Sequence, residues 1–124
     1  MADMSRGNVR VRRVYDAVEP SDGARVLIDR LWPRGLSKAD ARLTEWCKDV
    51  APSTELRRWY DHREERYEEF ATRYRAELAA PQARAALDGL RKLAADGPLT
   101  LLTATKETAY SHASVLLDGL SEDS

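Results

Sequence analysis

Asp29-Arg30-Leu31-Trp32-Pro33-Arg34-Gly35 sets a carboxylate, two guanidiniums and an indole on one short segment. An arginine fork matches the paired oxygens of a carboxylate or phosphate. An indole offers a flat face to a ring or a cation. Arg30, Trp32 and Arg34 therefore suit a ligand with one anionic part and one planar or apolar part. Asp29 would orient an arginine or accept a proton. The competing reading is an Asp29–arginine pair that locks a corner, with Trp32 as a core plug.

A second set is Thr103-Ala104-Thr105-Lys106-Glu107-Thr108, which precedes a predicted helix. Backbone N–H groups, the Thr105 hydroxyl and Lys106 suit an anion at a helix start. The spaced glycines of a Walker loop are absent, and an ordinary capping segment is the alternative, with Thr105 or Thr108 as N-cap. His112 is expected about one turn into that helix, on a stripe with Ala109, Ala113 and Leu116. Histidine is the side chain best suited to proton transfer near neutral pH. His112 and Asp29 are thus the candidate catalytic residues, and Arg30, Trp32, Arg34, Thr105 and Lys106 the candidate ligand-binding ones. A satisfied core histidine is the alternative for His112. His62 reads as a loop or cap residue. The Glu64-to-Arg73 charge run reads as a solvated helix face.

These segments have to be carried by strands and helices. Val9 to Val14 alternates apolar and basic residues, as a strand does. Glu19-Pro20-Ser21-Asp22-Gly23 is a turn. Arg25 to Asp29 is a second strand, ended by Pro33 and Gly35 beyond it. Ser37 caps a short helix over residues 38–41, and Leu43 to Val50 reads as extended. Ser53 caps a helix through Tyr60. A longer one over about 64–79 carries Tyr67, Phe70, Ala71, Tyr74 and Leu78 at helical spacing. Pro81 opens the next helix, which Gly97-Pro98 stops. Leu99-Thr100-Leu101-Leu102-Thr103 has the unbroken apolar pattern of a central parallel strand. A last helix covers about 108–120. The expected architecture is α/β: one three-layer-like domain over 9–120, with a small, mainly parallel sheet flanked by helices and tails at 1–8 and 121–124. Both candidate segments follow parallel strands. They are expected at one edge of the sheet, where ligands of open α/β folds bind.

The 124 residues support one core, and 43% hydrophobic with 33% charged residues is a globular composition. A net charge of -1 argues against a general nucleic-acid or anionic-membrane binder. Residues 1–62 hold 12 Lys+Arg against 10 Asp+Glu, and residues 63–124 hold 8 against 11. That mild asymmetry favours a local anion site in the first half. The one cysteine, Cys47, excludes an internal disulfide and fits a cytoplasmic protein. It reads as a half-buried thiol beside Trp46. No metal or cofactor is expected, because two distant histidines and one cysteine lack ligand spacing. No membrane span or signal peptide is expected.

The chain resembles the YeaO-like bacterial proteins, a family classed as a domain of unknown function. Val14-Tyr15-Asp16, Ser21 to Arg25, Asp29 to Gly35, Pro52 to Arg57, Leu99 to Leu102, Ala104, Lys106 and His112-Ala113 carry the likeness. The resemblance implies a small α/β cytoplasmic protein and supplies no activity. It adds weight to Asp29, Arg30, Trp32, Arg34, Lys106 and His112 as motif positions. Thr103-Ala104-Thr105-Lys106 has no cysteine, which speaks against a cysteine-based phosphatase or sulfurtransferase. Three functions are therefore in view. The first is a site for a small phosphorylated or carboxylated molecule, bound or turned over. The second is a nucleotide or single-stranded nucleic-acid module using Arg10, Arg12, Arg13, Arg30, Arg34 and Trp32. The third is a structural or protein-interaction role for Trp46, Trp59, Tyr60, Tyr67 and Tyr74. Oligomeric state is left open.

Overall fold

The computed structural model describes residues 4–122, which form one five-stranded sheet. Strand β1 (Met4–Arg6) turns at Gly7, φ +60°, to pair antiparallel with β2 (Val9–Arg13). The other strands are β3 (Ala24–Leu27), β4 (Glu45–Trp46) and β5 (Leu99–Thr103). They run parallel to β2 in the order β2-β5-β3-β4. The α/β sheet is therefore mainly parallel, as its sequence pattern implies. β5 is central and every one of its residues is buried, which is why it shows no polar alternation.

Val9, Val11, Val26, Ile28, Leu99 and Leu101 form the larger core with three helices. These are α3 (Tyr67–Leu78), α4 (Pro81–Asp96) and α5 (His112–Glu122). Tyr60, from α2 (Thr54–Tyr60), stacks on Phe70 at 4.3 Å, and Phe70 lies 5.7 Å from Tyr74. Tyr60 and Tyr74 are buried, and Trp59 and Tyr67 pack against the same core. Most of the aromatic set is thus internal. On the opposite sheet face Val14, Leu27 and Leu102 meet Trp32, Leu36, Leu43, Trp46 and Ala104. Most of that cover comes from the segment between β3 and β4, whose helix is the single turn α1 (Lys38–Ala41). The Ser37 hydroxyl caps α1 and the Ser53 hydroxyl caps α2, by accepting from Asp40 and Leu56 amides.

The amino end of the sheet is held by Asp22, which is 1% exposed. Its carboxylate accepts from Arg25 at 2.5 Å, Arg12 at 3.3 Å, the Glu19 amide at 3.0 Å, and Arg10. The Thr100 hydroxyl donates to its carbonyl at 2.7 Å. Burial pushes the Asp22 carboxyl up, but the Glu19 amide and the Arg25 and Arg10 bonds outweigh it and hold it below the usual value. The segment Glu19 to Gly23 is therefore an electrostatic lock as well as a turn. Its sequence signal was the valine–arginine alternation of β2, since arginines this close to a core need a buried acid.

Four local departures from the sequence pattern have physical causes. Residues 4–6, read as tail, pair with β2; residues 1–3 and 123–124 of the two tails lie outside the described residues. The extended stretch 43–50 is strand only at Glu45–Trp46, then tightens into a 3-10 turn at Lys48–Val50 before Pro52. A 3-10 turn at Glu64–Arg66 precedes α3. The last helix starts at His112, four residues later than expected, after a 3-10 turn at Thr108–Tyr110. Ser111 interrupts it, because its hydroxyl donates to the Thr108 carbonyl at 2.8 Å and accepts from the Ala113 amide at 3.1 Å. Neither Thr105 nor Thr108 is the cap.

Gly23 has φ +64°, and a methyl there would run into the Pro98 carbonyl. Gly23→Ala is expected to lower stability by about 3 kcal/mol in urea denaturation. An unchanged midpoint would show that the turn does not constrain β3 against β5.

Candidate functional site

Asp29 leaves the end of β3 beside the end of β5. One carboxylate oxygen accepts from the Thr103 hydroxyl at 2.7 Å and faces His112 Nε2 at 2.9 Å. The other accepts from the Ala104 amide at 2.8 Å. The Asp29 carbonyl accepts from the Trp46 indole at 2.7 Å. One residue thereby ties the loop after β3 to β4, to the loop after β5 and to the first residue of α5. Burial raises the Asp29 carboxyl, but the His112 bond and charge, with the Ala104 amide and Thr103 hydroxyl, outweigh it and hold it below the usual value.

His112 is 14% exposed and its ring meets Tyr74 edge-on at 6.4 Å. Tyr74 is fully buried and donates to the Val50 carbonyl. Burial, first, then the Glu77 charge push its phenol well above the usual value, so it remains a donor. With Asp29 ionised, His112 Nε2 is the ring nitrogen that donates to it. Nδ1 has no hydrogen-bond partner among the described residues. A carboxylate behind one ring nitrogen and an open second nitrogen is the geometry of an oriented proton acceptor. The expected position of His112 one turn into the helix is corrected here. It is the first residue of α5, and that is what lets it reach Asp29.

The other sequence candidates divide. Arg30 donates from Nε to the Pro52 carbonyl at 3.2 Å and from Nη2 to the Ala51 carbonyl at 3.1 Å. Trp32 is half-buried, donates to the Leu36 carbonyl at 2.6 Å and meets Trp46 edge-on at 5.2 Å. The Lys48 ammonium sits 4.1 Å from the Trp46 ring centre. Arg34 and Lys106 are exposed, and neither side chain pairs with another described residue. Thr105 is half-buried, and its amide donates to the Thr103 hydroxyl at 3.2 Å. The Asp29 bonds to Thr103, Ala104 and His112 bring the two candidate segments to one edge. Asp29 takes a histidine, not the arginine of the corner-lock reading.

Two residues at this edge belonged to other readings of the sequence. Tyr15, just past β2, donates to the Arg34 carbonyl at 2.9 Å. Arg13, opposite Thr103 in the β2–β5 register, donates to the Ala104 carbonyl at 3.3 Å. The register that makes them neighbours is a long-range fact with no local signature. Cys47 is buried, more deeply than its sequence context implies. Burial, first, then the Glu45 charge push its thiol up to about 11, so it is not a nucleophile at neutral pH. Among the described residues no cluster of His, Cys, Asp and Glu has the makings of a metal site, and no helix is long and apolar enough to cross a membrane.

The mainly parallel sheet and its aspartate–histidine pair define a small α/β protein with no cysteine in the loop after the central strand. The chain belongs to the DUF488-N3i family, described as the inactive DUF488-N3 subclade, whose model matches residues 8–124. It is 56% identical to the uncharacterized protein Rv3073c of Mycobacterium tuberculosis (strain ATCC 25618 / H37Rv), over 87% of this chain and 89% of the relative. It is 46% identical to the uncharacterized protein YeaO of Escherichia coli (strain K12), over 91% of this chain and 96% of the relative. No solved structure matches the chain.

The lowered Asp29 carboxyl fixes the sign of a pH effect. Its stabilisation is complete above the unfolded value of about 3.9 and is lost as pH falls through the lower folded value. Asp29→Asn is expected to cost about 2 to 4 kcal/mol at pH 7 and to flatten the acid arm of the stability curve. Parallel curves for variant and wild type between pH 5 and about pH 2 would contradict this. Separately, native Cys47 is expected to react with a thiol reagent at pH 8 at least about tenfold more slowly than in the urea-unfolded chain.

Proposed function

We propose that the carboxyl edge of the sheet binds a small phosphorylated or carboxylated molecule and does not turn it over. One observation carries this reading. Asp29 gathers the loops after β3 and β5, while Arg34 and Lys106 on those loops keep unpaired cationic heads. In this reading Arg34 and Lys106 hold the anionic group and Thr105 adds a hydroxyl. His112 meets the ligand through Nδ1, with Asp29 setting the ring. Trp32 gives the exposed part of its ring to an apolar portion of the ligand. Arg30 is assigned a positioning role, since two carbonyls already occupy its guanidinium.

Binding without turnover accords with the description of the subclade as inactive. The nucleic-acid reading is weaker, because Arg10 and Arg12 are engaged by Asp22 and Glu19, and Arg30 by the backbone. A second reading, hydrolysis or group transfer at the same edge with His112 as general acid–base, rests on the open Nδ1 opposite the Asp29 bond.

The test is a thermal-shift series with phosphate, sulfate, nucleotides, sugar phosphates and small carboxylates on wild type and Arg34→Ala. A ligand at a hundred times its dissociation constant adds about 2.7 kcal/mol, or about 10 °C for a chain of this size. The expected result is a shift in the wild type that is lost in Arg34→Ala. No shift with any compound overturns the reading. Chemical change of the bound compound, lost in His112→Ala, would replace binding by the enzymatic reading.

A further inference from the structure

Arg10, Arg12, Arg13 and Arg25 all stand on β2 or β3, and three of them have carboxylate partners. Arg10 and Arg12 pair with Asp22 and Glu19, and Arg25 pairs with Asp22. Arg13 pairs with no carboxylate among the described residues. Its one hydrogen bond from the guanidinium goes from Nη2 to the Ala104 carbonyl at 3.3 Å. Its Nε is buried and has no acceptor. A buried, charged donor without an acceptor is costly, and native proteins rarely keep one without a reason.

The surroundings of Arg13 point to the missing acceptor. Arg13 lies opposite Thr103 in register, and Thr103 bonds Asp29, so Arg13 belongs to the edge described above. Asp29 does not serve it: the partners of that carboxylate are Thr103, Ala104 and His112. Asp16 faces elsewhere, accepting from the Arg13 amide at 3.0 Å and lying 3.9 Å from Arg12. The Tyr15 ring covers the guanidinium, 5.2 Å from its central carbon. Tyr15 is itself 45% exposed and is held at its tip by a single hydrogen bond to the Arg34 carbonyl. The cover over the guanidinium face beside the orphaned N–H is therefore a surface side chain with one hook, and that hook is on the Arg34 loop.

We propose that Arg13 is the anchor of the anion site: a ligand oxyanion accepts its Nε–H, and Tyr15 turns aside to admit it. This rests on the anion-binding reading above. It adds a guanidinium from β2 to the cations on the β3 and β5 loops, so the ligand's charged group is bound from three strand ends. It also makes Tyr15 a competitor of the ligand. Release of the Tyr15 hook and entry of the oxyanion are one exchange, in which Arg13 trades an aromatic face for a hydrogen-bond acceptor.

The experiment follows the arginine Nε–H resonances of the full chain by NMR during titration with inorganic phosphate and, separately, with acetate. Arg13→Lys assigns the Arg13 signal. Expected are a downfield shift of that signal with the anion it binds, affinity reduced about tenfold or more in Arg13→Lys, and affinity raised about threefold in Tyr15→Phe. Response to phosphate alone or acetate alone identifies the oxyanion class. Anion binding that vanishes in Arg34→Ala yet leaves the Arg13 signal and the Arg13→Lys affinity unchanged overturns the anchor and leaves the anion site standing. A Tyr15→Phe chain that binds no more tightly overturns the cover. Absence of any response to both anions overturns the anchor, and the nucleotide and sugar-phosphate series then decides the broader reading on its own. Should Arg13→Lys fail to fold, through-bond assignment of the wild-type Nε–H from the Arg13 backbone resonances keeps the test valid.

Discussion

A single carboxylate, that of Asp29, holds the carboxyl edge of this sheet together. Its oxygens take a hydroxyl, an amide and an imidazole, and its carbonyl takes an indole. Those partners come from β5, the loop after it, α5 and β4. Charge-assisted bonds of this kind are strong because the acceptor is ionised and half-desolvated. Leaving any of the donors unpaired would cost more than the bond itself contributes. The loops that carry Arg34 and Lys106 therefore depart from one fixed point, and the start of α5 at His112, set by Ser111, places the imidazole there.

Asp22 does the equivalent work at the other end. It gathers Arg10, Arg12 and Arg25, and its carbonyl binds Thr100 of the central strand. Asp22 thereby engages three of the arginines in the first half of the chain, whereas Asp29 engages none among the described residues. Arg10, Arg12 and Arg25 are neutralised, whereas Arg34 and Arg13 are not. Two of the cations of residues 1–62 without a carboxylate partner among the described residues, Arg13 and Arg34, thus lie at the carboxyl edge. Net charge alone would not show this, because it weights a buried ion pair and a free cation equally.

The chemistry of this edge differs from that of a nucleophile site. Its polar groups are an oriented imidazole, hydroxyls, amides and cations. The one thiol, Cys47, directly follows β4 and is buried in the larger core, where burial pushes it up to about 11. The aromatic residues that suggested a partner surface are chiefly used to join α2 and α3 to the sheet.

Periodicity by itself determined the α/β class, the central apolar strand over 99–103, the α3 and α4 stripes and the serine caps. Each of these is written in residues a few positions apart, where hydrophobic spacing and local hydrogen bonds decide the outcome. The cluster Asp29-to-Arg34 and the residues Lys106 and His112 were also legible, because costly polar side chains at strand ends stand out against an apolar pattern. Tertiary structure alone decided their roles. Asp29 joins a histidine 83 positions away, Arg30 turns to backbone carbonyls, and Arg13 comes beside Ala104 through strand register. The physical reason is that each such pairing depends on which strands lie side by side. Burial then decides which charges must be satisfied within the fold, and no local pattern encodes either choice.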